Sequence, residues 1–156
     1  MKVAKFGGSS LADANQIRKV CDIILADPDR RIVVVSAPGK RHGKDIKVTD
    51  LLIACADVQI VREDAEPQLR AVVERYAEIQ KELGLPGEVI ERIEADFRER
   101  LAMDTSDRDL FMDCMKAGGE DNSARLVAEA LRKRGADARY VNPRDAGLLL
   151  SHEFGN

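Results

Sequence analysis

The sequence predicts an α/β fold around a mainly parallel sheet, and three observations carry that prediction. A short alternating segment opens the chain and runs into paired glycines; an amphipathic helical stretch follows; a continuous β-branched run comes next. Strand, helix and strand in that order form a right-handed βαβ unit, and such a β-branched run suits a strand covered on both faces.

Residues 2–6 alternate polar and apolar and empty into Gly7-Gly8-Ser9-Ser10, a strand followed by a tight loop. Asp13 stands as the cap of a first helix, with Gln16 three residues on. Ile17, Val20, Cys21, Ile24 and Leu25 share the spacing of one buried face, and Asp27-Pro28-Asp29 stops the helix. Ile32-Val33-Val34-Val35 is the second strand, and Ser36-Ala37-Pro38-Gly39 leads into a basic loop with Lys40, Arg41, His42, Lys44 and Lys47. Thr49 caps the next helix, whose apolar side is Leu51, Leu52 and Cys55.

From about 66 to 117 the periodicity is helical throughout. Leu69, Val72, Val73, Tyr76, Ile79 and Leu83 form one stripe, stopped by Gly84 and Pro86; Val89, Ile90, Ile93, Phe97 and Leu101 form a second. A third helix, capped by Ser106 or Asp107, carries Leu110, Phe111, Cys114 and Met115 and closes at Gly118-Gly119. Another begins after Glu120 and ends at Gly135, with strands expected at 138–141 and 148–150.

Composition bounds the function. The chain is 44% hydrophobic and 34% charged, a folded rather than disordered profile. With 28 acidic against 25 basic residues the net charge is −3, a near-balance that gives no support for general nucleic-acid binding. No apolar run reaches membrane-spanning length and no signal peptide is recognisable, so a cytoplasmic location is expected. Cys21, Cys55 and Cys114 are widely spaced, so neither a disulfide framework nor a protein metal-ligand set is assigned.

Four segments could carry chemistry. Lys5-Phe6-Gly7-Gly8-Ser9-Ser10 lies at a strand end, where glycines let backbone N–H groups approach an anion and a lysine places positive charge beside a phosphoryl group. Ser36-Ala37-Pro38-Gly39-Lys40 lies at the same end of the second strand, where open α/β sheets gather their ligands. Thr49-Asp50 offers a hydroxyl and free N–H groups to a carboxylate. Glu120 offers a carboxylate to an ammonium. Each also has a plain structural explanation: turns need glycine, helices need caps, and an acidic residue suits a helix start.

In this order, Lys5-Phe6-Gly7-Gly8-Ser9-Ser10-Leu11-Ala12-Asp13, Val33-Val34-Val35-Ser36-Ala37, Val48-Thr49-Asp50-Leu51-Leu52 and Gly119-Glu120 closely resemble the aspartokinases of the amino-acid kinase superfamily. The resemblance covers essentially the whole chain. It implies a three-layer αβα sandwich of amino-acid kinase type, residues 1–156 forming the N-terminal, substrate-binding part with a helical insertion at about 66–117. It also implies ATP- and Mg2+-dependent phosphorylation of the L-aspartate side-chain carboxylate to aspartyl phosphate, the first step of the biosynthesis that leads to lysine and threonine. Lys5 would neutralise charge on the transferred group; Phe6, Gly7, Gly8 and Ser9 would complete the phosphate loop; Ser36, Thr49 and Glu120 would hold aspartate. The family's nucleotide-binding half, its ACT regulatory domains and its aspartate-binding arginine are not recognisable here. The expectation is therefore a chain that is inactive alone and that self-associates or pairs with a companion C-terminal half. The alternatives are another amino-acid kinase, or a non-catalytic binding or regulatory fragment.

Overall fold

The structure, a computed structural model, describes residues 1–148. Strand β1 (Lys2–Lys5) pairs in parallel with β2 (Arg30–Val34), Val3 opposite Ile32 and Lys5 opposite Val34. Phe6 prolongs the ladder by donating its N–H to Val34 O at 2.9 Å. Between the strands lie a 3-10 turn (Gly8–Leu11) and α1 (Ala14–Leu25). The Asp13 carboxylate accepts from Gln16 N–H at 2.8 Å, the expected cap. The second strand starts earlier than the sequence reading and ends before Val35.

Four helices follow: α2 (Val48–Ile60), α3 (Glu66–Leu83), α4 (Gly87–Leu101) and α5 (Arg108–Lys133). Helix α2 packs between α3 and α5, α4 closes the group against α3 and α5, and α1 reaches both α3 and α5. Their stripes meet in one core of Leu52, Leu69, Tyr76, Ile93, Phe97, Phe111, Met115 and Leu126. The Tyr76 and Phe97 rings lie 5.6 Å apart and tilted, an arrangement aromatic quadrupoles favour. Helix α3 stops where expected: Gly84 is left-handed at φ 63°, and Lys133 Nζ donates to Leu83 O and Gly84 O.

The α/β class and the parallel pairing hold, and several local expectations do not. Val3 is 63% exposed and Val34 46%, so among the described residues the strands are not covered on both faces. Leu25 and Leu110 are exposed although they belong to apolar stripes; Leu25 is the last residue of α1 and Leu110 lies in the first turn of α5. Thr49 is not a cap: Lys47 precedes the helix without a side-chain cap bond, and Thr49 is its second residue. Gly118-Gly119 does not end a helix, and α5 runs through it to Lys133. Residues 138–141 are not a strand; Arg132 Nε takes Ala138 O at 2.7 Å, and the Tyr140 hydroxyl bonds Asp121. The strand expected at 148–150 lies, but for Leu148, outside the described residues, as does His152.

Candidate active site

Both glycine loops leave the same end of the parallel pair, which follows from β1 and β2 running in one direction. Gly39 N–H donates to Gly8 O at 2.8 Å, stitching the loop after β2 to the loop after β1. The backbones are so close that a Cβ on Gly39 would stand 2.7 Å from Gly8 C and 2.9 Å from Ser9 N. A Cβ on Gly8 would stand 3.0 Å from Ala37 O. No side chain fits between these segments, which is the physical reason for glycine at both positions.

The second loop is tied onward to α2, since Val48 N–H donates to Pro38 O at 3.0 Å. This leaves the uncapped start of α2, with Thr49 half-buried and Asp50 exposed, beside the loop. A Cβ on Gly119 would meet Ala37 Cβ at 2.8 Å and Leu52 Cδ1 at 3.1 Å, so α5 crosses the loop and α2 at Gly119, while Gly118 faces Phe97 and Arg100 of α4. Tyr76 fixes that crossing by donating its hydroxyl to Gly119 O at 2.7 Å, and burial pushes the phenol's pKa well up. Glu120, the next residue, is exposed in the middle of α5 rather than between two helices.

Lys5 stands at the end of β1, its Nζ 3.9 Å from where a Gly7 Cβ would be. Among the described residues the ion-paired lysines are Lys2, Lys47 and Lys116, so Lys5 has no carboxylate of its own there. An unpaired ammonium over a glycine loop fits a phosphate-bearing ligand. Phe6 and Ser36 are half-buried, and Ser9 is exposed on the 3-10 turn. Backbone bonds thus join loop 6–9, loop 36–39 and the start of α2, and Gly119 packs on the Ala37 and Leu52 side chains. Among the described residues no group of three His, Cys, Asp or Glu side chains could hold a metal ion. Mg2+ bound chiefly through substrate phosphates and water needs only one or two carboxylates.

Sequence reasoning missed Arg75, Tyr76 and Asp45 as neighbours of these loops. Arg75 Nη2 donates to Gly39 O at 2.9 Å and Ala12 O at 3.3 Å, and its Nη1 to Asp45 at 3.0 Å. Asp45 also accepts from the Arg41 side chain and from Arg41 N–H at 2.8 Å. These bonds, with Arg41's foremost, hold the Asp45 carboxyl far below the usual carboxylate range. The basic loop is therefore anchored by its own acid rather than merely solvated. A signal was present: Arg75 interrupts the spacing of Val72, Tyr76 and Ile79 on the buried face of α3.

Comparison with known proteins agrees with this arrangement. The amino acid kinase family profile matches residues 1–155. Aspartokinase 3 of Bacillus subtilis is 51% identical over 156 residues, the whole of this chain and 34% of that protein. The aspartate kinase of Clostridium acetobutylicum superposes with a TM-score of 0.74 at 32% identity, covering 83% of this chain and 29% of the other. Escherichia coli aspartokinase III, solved with aspartate and ADP, gives 0.67 at 32% identity over 86% of this chain and 29% of its own. The chain spans about a third of the length of the relatives it matches. No described helix is long and apolar enough to cross a membrane.

Proposed function

The chain belongs to the amino acid kinase family, and from that premise we propose that it forms the aspartate-binding part of an aspartokinase, which phosphorylates the side-chain carboxylate of L-aspartate from ATP. The observation that carries this reading is the junction of the two glycine loops, Gly39 bonded to Gly8, with Lys5 beside it and Gly119, next to Glu120, packed on Ala37 of the second loop. The 51% identity to an aspartokinase over the whole chain, and a structural neighbour solved with aspartate and ADP, favour aspartate over other carboxylates.

In this reading Gly7, Gly8 and Ser9 present backbone N–H groups to the phosphate chain, and Phe6 fixes the loop to the strand ladder. Lys5 neutralises charge as a carboxylate oxygen forms its bond to phosphorus and ADP leaves. A carboxylate is already ionised at neutral pH, so no general base is required. Glu120 binds the substrate ammonium. Thr49 and the uncapped N–H groups of α2 receive a substrate carboxylate, and Ser36 donates to the acceptor from the second loop. ATP supplies the phosphoryl group, and Mg2+ shields the phosphates. The cytoplasm as compartment, and self-association or a companion part as partner, belong to the same proposal.

The test is ADP release with Mg2+, ATP and L-aspartate, the chain being supplied in trans with the part of an aspartokinase it does not span. Aspartate-dependent release that drops about a hundredfold in Lys5→Ala is expected, the scale of losing one preorganised charge-stabilising group. Release that responds equally to glutamate, or that survives the Lys5 change, contradicts the assignment.

A further inference from the structure

A single guanidinium bonds to the segments of both glycine loops. Arg75 reaches them from α3, lying 63 residues along the chain from Ala12 and 36 from Gly39. Ala12 follows the 3-10 turn that closes the first loop, and Gly39 closes the second. Nη2 alone serves both carbonyls, while Nη1 is held by Asp45. Arg41 in turn fixes Asp45 through its backbone N–H, Nε and Nη2, and extends Nη1 to Glu78.

We propose that Arg75 is a positioning residue that clamps the two glycine loops in binding register, with Asp45 orienting Arg75 and Arg41 orienting Asp45. Its catalytic relevance rests on reading these loops as the phosphate and aspartate sites. The clamp itself rests on geometry alone.

Three features favour a clamp over simple packing. Arg75 is only 6% exposed in an otherwise apolar stripe, where an apolar side chain of similar length would avoid burying a charge. Its Nε is buried without an acceptor, so the side chain accepts a stranded donor in order to direct both Nη atoms. Finally, the carbonyl it takes belongs to the residue whose N–H makes the inter-loop bond, so one peptide segment is gripped on both sides. Lysine cannot replace this arrangement, because one ammonium nitrogen cannot occupy both Nη positions.

The experiment compares the unsubstituted chain with Arg75→Lys, Arg75→Met and Asp45→Asn in two readouts. The first is amide hydrogen exchange at Gly39, with amides inside α4 as the internal reference. The clamp predicts exchange at Gly39 faster by about tenfold or more in both Arg75 variants and by less in Asp45→Asn, with α4 unchanged within about twofold. Unchanged Gly39 protection, or equal acceleration throughout α4, overturns it. If the Arg75 variants do not fold, Asp45→Asn decides by the same comparison. The second readout is titration with L-aspartate, followed at the amides of Thr49 and Glu120. Binding about tenfold weaker in Arg75→Lys than in the unsubstituted chain supports positioning, whereas equal affinity overturns it. An unsubstituted chain that ignores aspartate counts against the functional reading alone, and the exchange contrast then decides the clamp.

Discussion

Gly39 and Gly119 are both demanded by close tertiary approach, but against different neighbours. At the loop junction, a Cβ on Gly39 would meet Gly8 C, Gly8 O and Ser9 N, all backbone. At the crossing of α5, a Cβ on Gly119 would meet Ala37 Cβ and Leu52 Cδ1, both side chain. Backbone joined by the Gly39–Gly8 bond has no rotamer through which to yield, whereas side chains have some freedom. The first region is rigid by chain geometry, the second by packing.

The largest effect expected from this difference is at the junction. Gly39→Ala should destabilise the chain by about 3 kcal/mol, at the upper end of overpacking costs, because two loops must part. Urea unfolding midpoints measure it, and a loss comparable to that of Gly119→Ala would erase the distinction.

Gly119→Ala should cost less, about 1 kcal/mol net, since overpacking is partly offset by the helix preference of alanine. Here the clash has an identifiable partner. Adding Ala37→Gly removes the 2.8 Å contact, so the double variant should lose less than the sum of the two single changes. Strict additivity would show that α5 does not rest on the loop at Ala37.

A smaller effect concerns acid. Asp45 has its pKa lowered in the folded state from an ordinary 3.8. Its contribution is therefore present above about pH 4 and is lost as pH falls further, when the carboxylate must be protonated against Arg41 and Arg75. The unfolding midpoint of the unsubstituted chain should fall more between neutral pH and pH 3 than that of Asp45→Asn. Parallel decline in the two chains would remove the anchor from the account of the loop.

The contrast between the glycine pairs also explains what was legible in the sequence. Gly84 and Gly135 act locally, each at positive φ after a helix, and both were readable as stops. Gly7-Gly8 was readable as the exit from an alternating strand, although Gly8 owes its glycine to the approach of Ala37 and Gly39 rather than to a positive φ. Gly118-Gly119 looks identical on paper, yet its cause lies in Ala37, Leu52, Phe97 and Arg100, all distant or separate in the chain. The cap was placed two residues late, at Thr49, because the N-cap, Lys47, is set by Val48 bonding to Pro38, again a tertiary contact. The two loops themselves could be placed from local pattern. The residues that hold those loops could not, although Arg75 in an apolar stripe was a visible anomaly.

The most direct test of the aspartate assignment is an amide spectrum of the chain titrated with L-aspartate, with L-glutamate as the control. The account predicts saturable shifts confined to Ser36, Ala37, Gly39, Thr49, Asp50 and Gly119-Glu120, and markedly weaker ones with glutamate. Shifts centred elsewhere, or the same response to both amino acids, would contradict it.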